Sequence, residues 1–169
     1  MLRLATIEDI EVILSIIRGC QQLMNQRGID QWQDGYPNRE SIIEDINEKR
    51  GYILVRDAQI AAYAALILGG EEAYSRLKGG EWLTVSENYL TIHRLAVSDK
   101  FRGQNIGESL FLHTEQEARM RNVDSIRCDT HKDNSVMLRL LRRLNYAYCG
   151  EVSYLEAKRV AFEKVLSFN

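Results

Sequence analysis

Arg102, Gly103, Gln104, Asn105, Ile106 and Gly107 lie between a mostly apolar run, "YLTIHRLAV", and a helix-like run that extends to about Arg121. A glycine-containing turn that opens a helix leaves backbone N–H groups without intrahelical partners. Those amides, with the positive end of the helix dipole behind them, attract an anion. Glycine lets the backbone approach the ligand, and Arg102 adds a planar fork that suits phosphate oxygens. Asn105 is one of the few non-glycine residue types that tolerates positive φ. The chemistry within reach is therefore capture of a phosphate-bearing ligand, with an ordinary strand-to-helix turn as the plain alternative.

The elements that must hold this loop can be read from hydrophobic periodicity. "LRLA" suits a short first strand, and Thr6 with Asp9 has capping-box spacing. Ile10, Ile13, Leu14, Ile17 and Met24 recur at helical spacing, and Gly28 can stop that helix. "IDQWQDGYPN" is an irregular aromatic and acidic loop with the only proline, Pro37, after which Asn38 can cap a helix carrying Ile42, Ile43 and Ile46. "GYILVRD" and "IAAYAALIL" form a hairpin around Asp57-Ala58-Gln59. Residues 69–88 are a polar excursion with four glycines. After strand 89–97, the loop and its helix come "DSIRCDT" as a strand and "DNSVMLRLLRRLN" as a helix with Met137, Leu138, Leu141 and Leu144 inward. "YAYCGEV" and "RVAFEKVL" are the last strands.

Strand, helix, strand, helix between 89 and 144 implies a parallel pair with a right-handed crossover. The hairpins imply antiparallel pairing elsewhere. The expected fold class is α/β (α+β): a mixed, mostly antiparallel sheet with helices on both faces. A length of 169 residues suits one domain, 1–169.

The net charge of −2 excludes a general nucleic-acid binder, which should be basic. No apolar run approaches the ~18 residues of a membrane span, and "MLRLATIEDIEV" does not read as a signal peptide. Cys20, Cys128 and Cys149 lack metal-ligand spacing; no metal is expected, and the odd, scattered set reads as reduced and cytoplasmic.

The chain resembles the GNAT superfamily of acetyl-CoA-dependent N-acetyltransferases. The family's loop has Arg or Gln, two residues, Gly, one residue, then Gly or Ala; "RGQNIG" matches at Arg102 and Gly107 and departs at Asn105, where glycine is usual. "IHRLAV" before it and "NSVMLRLLRRLNY" after it match neighbouring family segments in order. The resemblance implies that Arg102, Gly103, Gln104, Asn105, Ile106 and Gly107 bind the pyrophosphate of coenzyme A. It also implies that the parallel strands splay apart. Pantetheine would then pair with the backbone of Leu95, Ala96 and Val97, a form of strand addition, and meet Asn134, whose plain role is a helix cap.

Acetyl transfer needs an uncharged amine, a stabilised oxyanion and a departing thiolate. His93 is the expected base, since an unperturbed imidazole has a pKa of about 6.5; a structural histidine is the alternative. His131 is a second candidate. Many family members carry a tyrosine acid seven residues after the asparagine, where this chain has Leu141. Tyr146, Tyr148 and Cys149 are the substitutes nearby, with strand packing as the plainer reading of each. The resemblance places the acceptor beside the loop holding Asp30, Trp32, Asp34 and Tyr36, and carboxylates beside aromatics suit a cationic amine; a hydrophobic plug is the alternative.

The expected activity is transfer of acetyl from acetyl-CoA to a primary amine of a small molecule, by direct attack in a ternary complex. The alternatives are a protein N-terminal α-amine as acceptor, or a non-catalytic acyl-CoA-binding module. The expected partners are acetyl-CoA and the amine, without nucleic acid or membrane; a homodimer is one allowed assembly.

Overall fold

The computed structural model describes residues 1–154 and 157–167. Its strands are β1 (Leu2–Leu4), β2 (Gly51–Arg56), β3 (Gln59–Leu68), β4 (Tyr89–Val97), β5 (Ser125–Thr130), β6 (Ala147–Tyr154) and β7 (Ala157–Val165). Its helices are α1 (Ile10–Gln26), α2 (Arg39–Asn47), α3 (Ile106–Met120) and α4 (Ser135–Arg143). The strands form one mixed sheet in the order β1-β2-β3-β4-β5-β7-β6. The pair β4–β5 is parallel, as the crossover pattern requires, and the hairpins are antiparallel. Two compact units divide the chain: Met1–Leu66 with Arg94–His113, and Ile67–His93 with Thr114–Asn169.

In the first unit, Ile10, Ile13, Leu14 and Ile17 of α1 are buried at the spacing that the sequence shows. They pack with Ile42 of α2, Ile53 of β2, Tyr63 of β3 and Ala96 of β4. Asn38 caps α2 by accepting the Ser41 N–H at 3.0 Å. Asp9 accepts the Thr6 N–H at 2.8 Å, and the Arg3 guanidinium beside it holds its carboxyl below the usual range. The β2–β3 turn differs from expectation. Asp57 and Ala58 alone form it, both at positive φ, and Gln59 belongs to β3 opposite Arg56. Two left-handed residues match the twist of the flanking strands, so a third turn residue is not needed.

In the second unit, β7 pairs with β5 over six residues and with β6 along its length. The 69–88 excursion is tied down by Glu163 of β7. That carboxylate accepts from Ser125 Oγ at 2.6 Å, Thr84 Oγ1 at 2.7 Å, Arg127 Nε at 3.0 Å and the Leu83 N–H at 2.6 Å. Arg127 lies between the rings of Tyr89 and Trp82, 3.9 and 4.3 Å from their centroids. Gly80 allows the excursion to lie on β6, because a Cβ there would stand 2.0 Å from the Cys149 carbonyl oxygen.

Candidate active site

The β4–β5 ladder covers Tyr89–Thr91 and stops there, although β4 continues to Val97 and β5 to Thr130. His93 stands two positions beyond the last paired residue. Its Nε2 is buried and 2.9 Å from Glu71 Oε2. The distance suits an ion pair, but the contact is out of line for a hydrogen bond. Glu71 Oε1 also accepts the Ala73 N–H, which fixes the carboxylate at the start of a 3-10 turn. The Tyr74 ring lies 6.2 Å from the His93 ring. Its hydroxyl and that of Tyr154 both donate to Asp129 Oδ2 at 2.9 Å. Burial and the nearby Asp129 push the Tyr74 hydroxyl up, so it stays protonated.

Next along β4, Arg94 has φ +56. A left-handed residue inside a strand is costly for a long side chain and marks a place where the surroundings enforce it. Arg94 Nη1 donates to Asp45 Oδ1 at 3.1 Å. The same fully buried carboxylate accepts from Arg50 Nε at 2.8 Å and from the Tyr63 hydroxyl at 2.6 Å. Burial, and then the Asp45 charge, push the Tyr63 hydroxyl far up, so it remains a donor.

The loop after β4 has Gly103 at φ +76 and Asn105 at φ +58. The Asn105 carbonyl accepts the Ser109 N–H at 2.9 Å, so α3 begins directly after it. The N–H groups of Ile106 and Gly107 then fall in the first turn, where an α-helix offers no internal partner. A Cβ at Gly103 would meet nothing within 4 Å among the described residues. Arg102 Nη2 donates to the Gly19 carbonyl at 3.2 Å, which anchors the loop on α1. Exposed left-handed backbone leading into a helix N-terminus fits a pyrophosphate.

Comparison with known proteins decides the family: residues 17–146 match the Acetyltransferase (GNAT) family. This chain is a member of the GNAT acetyltransferase family. A Bacillus subtilis (strain 168) protein described as an uncharacterized N-acetyltransferase, YesJ, is 26% identical over 148 residues, 86% of this chain and 81% of that protein. A GNAT-family acetyltransferase structure from Streptococcus agalactiae 2603 is 36% identical, with a TM-score of 0.93 over 99% of this chain and 96% of that one. The PaiA N-acetyltransferase of Thermoplasma acidophilum, solved in complex with coenzyme A, shares the fold at 15% identity, with a TM-score of 0.72 over 98% of both chains. The chain is thus an acetyltransferase, and its family uses acetyl-CoA.

Within this GNAT chain, the remaining candidates fall as follows. Leu95 and Val97 are half-buried and Ala96 packs on α1. The Cys20 thiol donates to the Val97 carbonyl at 3.5 Å. Asn134 caps α4, accepting the Met137 N–H at 3.2 Å. His131 Nδ1 accepts the Asp133 N–H at 3.1 Å, an interaction local to that turn. Leu141 is fully buried. The Tyr146 hydroxyl lies in the core, 3.4 Å from Glu115 Oε1, and burial pushes it up. Tyr148 is exposed and packs edge-on against Phe162.

Trp32, at φ +67, packs against the α1 core cluster. Asp30 and Asp34 are exposed, and Asp34 Oδ1 accepts the Tyr36 N–H at 3.3 Å. The structure therefore brings Tyr36 to Arg94, whose guanidinium lies 5.4 Å from the ring centroid. Burial pushes the thiols of Cys20, Cys128 and Cys149 up, so none is a ready thiolate. Among the described residues no cluster of three metal-ligating side chains occurs. No described helix is long and apolar enough to cross a membrane. Sequence reasoning singles out neither Arg94 nor Asp45, and it offers Glu71, with Glu72 and Trp82, only as a candidate acceptor wall and not as a partner of His93. Their partners are distant in sequence, and the left-handed φ at Arg94 has no compositional signal.

Proposed function

We propose that this chain, acting as one acetyltransferase domain over 1–169, transfers acetyl from acetyl-CoA to a primary amine of a small molecule in a ternary complex. The observation that carries the reading is the left-handed backbone at Gly103 and Asn105 just before α3, in a chain of the GNAT family. Arg102, Gly103, Gln104, Asn105, Ile106 and Gly107 would hold the pyrophosphate through backbone N–H groups. The coenzyme A complex of the Thermoplasma acidophilum relative supports that choice of ligand. The backbone of Leu95–Val97 would pair with the pantetheine arm, with Asn134 near it. Acetyl-CoA supplies the activated thioester.

The chain's own residues do the rest. His93 accepts a proton from the amine at Nδ1, and the Glu71 carboxylate, 2.9 Å from Nε2, offsets the charge that develops on the ring. Trp32 and Tyr36 form the wall of the acceptor site, with Asp30 and Asp34 at its exposed rim. A buried Leu141 carries no proton, so the thiolate leaves without an acid from that position; a thiol of ordinary pKa near 8.5 permits this. Three unpaired thiols support a cytoplasmic setting. The test is release of the coenzyme A thiol across a panel of amines. Turnover with small amines supports the reading. Turnover only with peptide N-termini, or binding of acetyl-CoA without turnover of any amine, would overturn it.

A further inference from the structure

We propose that Arg94 selects an acceptor that carries a carboxylate as well as the amine. The inference rests on the small-molecule acetyltransferase reading and specifies its substrate class.

Arg94, Tyr36, Asp45, Arg50 and Tyr63 belong to the same unit. One fully buried carboxylate, Asp45, is shared by the Arg94 and Arg50 guanidiniums. Arg50, whose side chain is 23% exposed, also pairs with Glu44 at 3.1 Å at the surface. Asp45 is the one carboxylate in contact with Arg94 among the described residues, and Arg94 shares it with Arg50. Tyr63 adds a neutral donor and no charge. A second anion would give Arg94 a carboxylate of its own.

The guanidinium also shows where that anion would sit. Arg94 reaches Asp45 through Nη1, while Nε is buried with no hydrogen-bond partner among the described residues. Buried donors are nearly always paired, and an unpaired one calls for an explanation. The side formed by Nε and Nη2 is one of the edges on which a guanidinium takes a carboxylate through two parallel hydrogen bonds. Tyr36 flanks the guanidinium from a surface loop, its ring centroid 5.4 Å away, and is 39% exposed, so the cluster lies next to solvent at that ring. Arg94 directly follows His93, the proposed base, in the chain. A ligand carboxylate on Arg94 would satisfy the unpaired donor. An α-amino acid is the simplest acceptor that carries a carboxylate beside its amine.

The experiment compares matched acceptors with the intact wild-type protein at saturating acetyl-CoA. Each set contains an L-amino acid, its carboxamide and its decarboxylated amine, across apolar, acidic and basic side chains, with thiol release as the readout. The expected result is at least a tenfold higher kcat/KM for the carboxylate member of one set, carried mainly by KM. Arg94→Gln should bring the members of that set within about twofold, and Arg94→Lys should restore part of the preference. Acetyl-CoA affinity should stay unchanged in both variants. Equal or better use of the carboxamide or decarboxylated amine by the wild-type protein would overturn the inference and leave the acetyltransferase reading intact. Bound acetyl-CoA with no turnover of any small amine would overturn both.

Discussion

His93 Nε2 and Glu71 Oε2 stand 2.9 Å apart, one on β4 and the other at the far end of the excursion that precedes it. The pairing places a carboxylate directly beside the proposed base. His93→Ala should slow turnover by about 10²-fold or more, the usual range for a lost general base. Glu71→Gln should slow it less, lowering kcat with little change in acetyl-CoA affinity. Steady-state kinetics with a binding titration check this. Near-wild-type kcat in folded His93→Ala at all pH values would remove the histidine from the mechanism.

Leu141 should matter to packing and not to chemistry. Leu141→Met preserves volume and should cost under ~1.5 kcal/mol. Leu141→Ala should cost about 2–5 kcal/mol, because the residue is fully buried. Turnover per folded molecule should hold in both, as measured by denaturant unfolding alongside activity.

Glu163 should give the second unit an acid-sensitive component. Burial alone would raise its carboxyl, but hydrogen bonds from Ser125, Thr84 and Arg127 outweigh it and hold the group below its usual value. A folded pKa below the unfolded one, about 4.3, means that the contribution is fully present above that value. It is lost as pH falls through the folded pKa. Glu163→Gln should remove that slope. It should also destabilise at neutral pH by about 3–5 kcal/mol, because Arg127 is left buried without its partner. Thermal unfolding from pH 7 down to pH 3 tests both effects.

Trp32 should serve the acceptor side. Trp32→Ala should raise the KM for the amine and leave the acetyl-CoA Kd unchanged. A loss confined to acetyl-CoA binding would move this loop to the other ligand.

Periodicity carried most of the fold. The α1 face from Ile10 to Ile17, the Asn38 cap and the parallel β4–β5 pair follow from spacing and from connection rules. Asn105 at positive φ was legible because asparagine tolerates that region and follows a glycine turn. Arg94 at positive φ was not, since arginine has no such preference and tertiary packing enforces it. The Asp45 cluster joins α2, β3 and β4, and Glu71 meets His93 across the excursion. Contacts of that range leave no local pattern. The β2–β3 turn reads one residue too long in the sequence because Gln59 has neither strand nor turn character of its own.

The central claim is that the loop opening α3 holds acetyl-CoA by its backbone, and titration calorimetry of loop variants tests it most directly. Asn105→Gly should keep or improve the wild-type Kd, since glycine takes φ +58 without a Cβ clash. Asn105→Val should weaken binding, because a β-branched residue fits that region poorly. Gly107→Val should weaken it further by placing a side chain beside the first-turn amides. Equal acetyl-CoA affinity in wild type, Asn105→Val and Gly107→Val, all folded, would contradict the account.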